Sequence, residues 1–108
     1  MYNNNGMVNY DRIVRECFWD LKMSREEIEQ ILSGDGPRLK RQLFEKILLN
    51  SSHYLLDLQL FDREELGVFL EEFRPPAFNY DYAFRRKNIA EVFFFDKELK
   101  INELKWPA

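Results

Sequence analysis

Helix start and stop signals recur about every ten to fifteen residues along this chain, and that punctuation constrains the fold more than any other feature. Ser24-Arg25-Glu26-Glu27 has the capping-box pattern, in which a serine hydroxyl satisfies a free amide and the glutamate three residues on reaches back. Gly34 reads as a left-handed stop, and Pro37 opens the next helix where its missing N–H is not needed. Asn50-Ser51-Ser52 breaks the pattern, Asp62-Arg63-Glu64-Glu65 restarts it, and Pro75-Pro76 ends it. No apolar run approaches the roughly 20 residues of a membrane span. The expectation is a mainly α chain: one small bundle of five to six short helices over residues 1–108, frayed over 1–8, with an aromatic C-terminal segment over 92–108.

The apolar spacing says which faces pack. A first helix from Tyr10 to Lys22 places Ile13, Val14, Cys17, Phe18 and Leu21 on one face. The second runs to Ser33 and buries Ile28, Ile31 and Leu32. Leu39, Leu43, Ile47 and Leu48 form the stripe of the third, with Arg38, Arg41, Gln42 and Glu45 largely outside it. His53 to Phe61 is apolar almost all round, as at the centre of a bundle. Leu66, Phe69, Leu70 and Phe73 line the fifth. Residues 37–73 are therefore expected to form three consecutive helices, with Leu43, Ile47, Leu56, Leu58, Leu66, Phe69 and Leu70 buried. From Asp81 a further helix places Tyr82, Ile89 and Phe93 on one face; it is read as continuing to Phe95, with an extended tail. The alternative is a C-terminal β-hairpin, because Val92-Phe93-Phe94-Phe95 is β-branched and aromatic and Leu99–Leu104 is available to pair.

Composition excludes much chemistry. A lone cysteine, Cys17, rules out an intrachain disulfide framework and a cysteine zinc cage, and a single histidine, His53, rules out a site needing two imidazoles. Cys17 lies on an apolar stripe and reads as an inert buried thiol. Ser51 and Ser52 adjoin His53, but neighbours one and two apart on a helix do not face each other, so no dyad is expected. The carboxylate pairs Glu26-Glu27, Glu64-Glu65 and Glu71-Glu72 fall at helix ends or on outer faces, and Gly34-Asp35-Gly36-Pro37 is a turn and not a phosphate loop. No catalytic, cofactor or metal site is expected, and the start Met-Tyr-Asn-Asn-Asn is not a signal peptide. A cytoplasmic protein with no membrane contact is the expectation.

The net charge is −3, and residues 51–80 carry two basic against six acidic residues, a local −4. Nucleic acid is therefore not the expected partner; Arg85, Arg86 and Lys87 are its best candidates, though a solvated helix face is the commoner meaning of such a run. Two apolar features stand out. Trp19 falls almost opposite the stripe of its helix, near Arg12 and Arg15, so it is either covered by this chain or offered to a partner. The tail concentrates Phe94, Leu99, Ile101, Leu104 and Trp106, which fold back on the bundle or dock on another protein or a second copy. Trp19 and these five are the candidate partner-binding residues.

Phe18-Trp19-Asp20, then Leu43-Phe44-Glu45-Lys46-Ile47-Leu48, Leu55 to Phe61, and Glu65-Leu66-Gly67-Val68-Phe69-Leu70 together resemble a group of small prokaryotic proteins. These open with a Phe-Trp-Asp motif, continue with three short helices, and are often met beside nucleotidyltransferase-like toxin genes of the abortive-infection type. The resemblance covers residues 17–73, lacks a glycine at Asn50-Ser51-Ser52 and omits the aromatic tail. It implies an antitoxin-like or escort role for a non-enzymatic module that binds its partner by apolar contact. The alternative is a helix-turn-helix-like DNA-binding regulator built from His53–Phe61 and Asp62–Phe73. Its second helix, however, carries Asp62, Glu64, Glu65, Glu71 and Glu72 against Arg63 and Arg74, a face that phosphates repel.

Overall fold

The structure, a computed structural model, describes residues 8–101 and divides after Asp62 into two compact units. It is mainly α, with no strand among the described residues. The first unit holds α1 (Tyr10–Cys17), α2 (Arg25–Ser33), α3 (Pro37–Asn50) and α4 (Tyr54–Asp57), the last continued by a 3-10 turn over Leu58–Leu60. The second holds α5 (Arg63–Glu72), a 3-10 turn over Ala77–Asn79, and α6 (Tyr80–Phe95).

In the first unit α1 and α2 pack on α3 and on each other, and α4 packs on α3. Asn9 caps α1, its side chain accepting from the Arg12 amide at 3.0 Å. α1 stops at Cys17, well short of Lys22. A helix running to Lys22 would leave one residue to turn the chain before Ser24, which is extended so that it can cap α2. Phe18 leaves the helix at φ −129°, ψ 35° and is buried, and Leu21, expected in the core, is 57% exposed. The capping box of α2 forms as expected: Ser24 Oγ accepts from the Glu27 amide at 3.2 Å, and Glu27 accepts from the Ser24 amide at 3.0 Å. Ile28 is fully buried, whereas Ile31 and Leu32 are only half-buried.

Gly34 is extended (φ −85°, ψ 179°), not left-handed, because the chain must run out through Gly36 to reach Pro37. Pro37 opens α3 as expected. The buried face of α3 is Leu43, Phe44, Ile47 and Leu48, with Phe44 edge-on to Phe61 at 6.3 Å between ring centres. Leu39, assigned to that stripe from its spacing, is instead 53% exposed, and Phe44 takes its share of the core. The segment after Ser51 is a single α turn and a 3-10 turn, burying Asp57, Leu58 and Phe61; Leu56 is half-buried.

In the second unit α5 packs on α6. Leu66, Phe69, Leu70 and Phe73 are buried as their spacing requires, and the helix ends before Pro75-Pro76. Gly67 faces the Phe95 ring: a Cβ there would stand 3.3 Å from Phe95 Cζ. Arg63 lies 4.7 Å from the centre of the same ring. α6 does continue to Phe95. Asp96 then turns left-handed (φ 54°), a conformation its short polar side chain tolerates, and its amide and that of Lys97 close on Val92 and Glu91. Residues 96–101 form no strand, so no hairpin forms over them; 102–104 lie outside the described residues.

Buried Asn88 holds this extension. Its Oδ1 accepts from the Lys100 amide at 2.6 Å and its Nδ2 donates to the Glu98 carbonyl at 3.0 Å. The amide thus does for residues 98–100 what a neighbouring strand would do, and Ile101 is buried beyond it.

Candidate functional site

The early end of α1 builds an apolar concavity in the first unit. Residues 18–23 leave the helix axis and run beside α3, so Phe18, Leu21 and Met23 form one wall, Ile31 of α2 adds to it, and Leu39, Leu43 and Leu49 of α3 form the other. The groove encloses about 450 Å³, within the range of binding sites, and Gln42, Glu45, Lys46 and Asn50 give it a polar rim. Trp19 stands at this edge, 66% exposed, with Lys46 Nζ 5.2 Å from its ring centre. Lys46 also reaches the Asp20 carboxylate at 3.4 Å. Trp19 is therefore placed by Lys46 across the connection, not by Arg12 and Arg15 on its own helix, because it lies beyond the helix end. Leu21, Leu39, Met23 and Lys46 carried no sequence signal as site residues.

A second constellation in this unit is polar. Arg12 and Asp57, both buried, form a two-pronged pair at 2.6 and 3.0 Å. Ser51 Oγ donates to Asp57 and accepts from Arg12 at 3.1 Å and from the His53 amide at 3.0 Å. Arg12 also donates to Glu16 at 3.2 Å, and Glu16 accepts from the Ser52 amide at 3.0 Å and the Ser52 hydroxyl at 2.8 Å. Those bonds, the Ser52 amide first, hold the Glu16 carboxyl below its ordinary range. The Arg12 guanidinium is pushed further up, chiefly by its hydrogen bond to Asp57. Beside them, burial pushes the Cys17 thiol up to about 12, with the Asp57 and Glu16 charges adding to it.

Ser52 and His53 meet after all, with Ser52 Oγ 2.9 Å from His53 Nδ1, because Ser52 lies in a turn where adjacent side chains can face each other. The Ser52 hydroxyl directs its hydrogen to Glu16, so it accepts from Nδ1–H. An activated serine needs the imidazole between hydroxyl and carboxylate. Here the hydroxyl stands in the middle, so the constellation is a structural clasp of the α3–α4 turn. Its one visible trace in the sequence was Asp57, a lone acid inside an apolar run.

The remaining candidates separate. Phe94 and Leu99 are half-buried, and Ile101 is buried, so Ile101 serves the interior and offers no docking surface. Leu104 and Trp106 lie outside the described residues. Lys87 pairs with Glu91 at 2.8 Å, Arg86 lies over the Tyr82 ring, and Arg85 is half-buried. Among the described residues no helix is long and apolar enough to cross a membrane, and no three His, Cys, Asp or Glu side chains group as a metal site would need. Comparison with protein-family models, with curated proteins and with solved structures finds no match for this chain.

Proposed function

We propose that this chain is a non-enzymatic protein-binding module that grips an apolar segment of its partner in the groove beside Trp19. The carrying observation is that two exposed large apolar side chains, Leu21 and Leu39, line one groove with a polar rim, and that the exposed Trp19 ring lies against Lys46 of that rim. Exposed apolar residues scattered singly need no explanation, but a cluster rimmed by polar groups marks an interaction site, and tryptophan is among the commonest interface anchors. The polar groups best placed for chemistry are meanwhile engaged with one another around Arg12 and Asp57. In this reading the module is an antitoxin-like or escort component of a prokaryotic two-gene system and works in the cytoplasm, its partner being a neighbouring gene's product.

The test is co-expression with the adjacent gene product. The two should co-purify, and Trp19→Ala and Leu39→Ser should each weaken the complex at least tenfold, about 1.4 kcal/mol or more, without moving the melting temperature of the isolated chain. Equal binding by both variants would remove the groove from the interface, and failure of any neighbour to co-purify would end the two-gene reading.

A further inference from the structure

The connection between α1 and α2 is fixed at both ends and loose between them. Phe18 is buried at one end, and at the other Ser24 is bound into the capping box of α2. Residues 19–23 lie outside any helix, and Trp19, Asp20, Leu21 and Lys22 are exposed. Among the described residues, the backbone of 19–23 makes one hydrogen bond, from the Leu21 amide to the Phe18 carbonyl at 3.0 Å. Few backbone bonds and little buried apolar surface are the marks of a segment that opens locally. Its polar tether to α3, among the described residues, is a single side chain. Lys46 Nζ meets the two Asp20 carboxylate oxygens at 3.4 and 3.5 Å and lies 5.2 Å from the Trp19 ring centre. The tether stands on a firm base, since Leu43 and Ile47 beside it on α3 are buried.

We propose that residues 19–23 are a strap latched by Lys46, which lifts from α3 to admit the partner's apolar segment and closes over it. The inference rests on reading the groove as the partner site. Leu21 and Met23 ride on the strap and line one wall of the groove, so its release widens the groove while Leu39, Leu43 and Leu49 keep the α3 wall in place. The latch is weak by construction. The Lys46 and Asp20 side chains keep 30% and 49% of their accessible surface, so water and salt screen the pair. An exposed ion pair and an exposed cation–π contact each favour the closed strap by at most about fivefold. That suffices to hold Trp19 at the groove in the free protein, yet lets the strap open while α2 and α3 stay folded. Dependence on one exposed cation also makes the strap responsive to ionic strength, which the buried Arg12–Asp57 pair of the same unit resists.

Limited trypsin digestion of the full chain tests this, because Lys22 lies on the strap and the bond after it fits a protease only when the strap is free of α3. Lys46→Met should speed that cut by about threefold or more, and hydrogen exchange over 19–23 with it, while protection in α2 and α3 stays unchanged. Lys46→Arg should restore both rates. In 1 M KCl, where the screening length is about 3 Å, the wild-type rate should approach that of Lys46→Met measured in the same salt. In a Trp19→Ala background Lys46→Met should have a smaller effect, since one arm of the latch is already gone. Equal rates for wild type and Lys46→Met, acceleration spread through α2 and α3, or no rescue by Lys46→Arg would overturn the proposal. These measurements use the free chain, so they stand or fall separately from co-purification of a neighbour. In a complex with the adjacent gene product the cut after Lys22 should slow; an undiminished rate there would overturn closure over the bound segment.

Discussion

In the first unit a turn is held by charge; in the second, an extended segment is held by a neutral amide. Asp57 and Arg12 bind each other out of water and pull Ser51 and the α3–α4 turn into place, whereas Asn88 takes the Glu98 carbonyl and the Lys100 amide without any formal charge. The two devices fail differently. A buried ion pair loses its compensation when either partner goes, and the survivor stays desolvated. A buried amide that is removed frees two backbone groups near the surface, which water can take up. The first device is therefore all-or-none, and the second can loosen locally.

The largest expected effect breaks the charged device. Asp57→Ala should destabilise the protein by about 3–5 kcal/mol, because it removes the two-pronged partner of the buried guanidinium, leaving Glu16 as its one carboxylate, and takes the acceptor of the buried Ser51 hydroxyl. Denaturant titration measures this, and the Arg12→Met, Asp57→Leu double variant should recover much of the loss. A cost of Asp57→Ala below about 1 kcal/mol would mean the pair is not desolvated. Smaller is Asn88→Ala, at about 1–3 kcal/mol. Its signature is local: faster hydrogen exchange at the Lys100 amide and faster tryptic cleavage after Lys97, with protection in α1 and α3 unchanged. Equal loss of protection in both units would erase the contrast.

The smallest effect is the pH dependence carried by Glu16. Its folded pKa lies below its ordinary value of 4.5. The stabilisation is therefore complete above about pH 4.5 and fades as pH falls through the folded value. Glu16→Gln should flatten that part of the acid limb, seen as a difference between the two denaturation profiles; an unchanged limb would mean Ser52 and Arg12 hold the carboxylate no better than water does. The Asn88 amide does not titrate, so its grip should add no slope of its own.

These contrasts also explain which parts of the structure were legible beforehand. Local signals worked: the capping box at Ser24, Pro37 at its helix start, the α5 stripe and the length of α6 each depend on neighbours within a turn or two. The end of α1 was misjudged because it is decided by the need to reverse the chain before Ser24, not by the residues of α1. Leu39 was misassigned because periodicity gives a stripe without saying which edge of it meets α1 and α2. On α6 two faces competed, and the one with Ala83 and Ala90 went inward, since small residues let α5 approach closely, as Gly67 does from the other side. The candidate groove was legible only through Trp19. The Asp57 clasp was not read from the sequence, because Arg12 lies 45 residues away, beyond any local pattern.

Cys17 gives the first unit something the second lacks. Its sulfur is the chain's one thiol, fully enclosed, and a thiol titrating at about 12 is almost wholly protonated at neutral pH. Alkylating reagents attack the thiolate and need access, so under native conditions the label can arrive only when the enclosure parts. The molecule thus contains its own stopwatch: the rate at which a maleimide captures Cys17 times the breathing of the α1–α4 unit, and is blind to openings confined to α5 and α6.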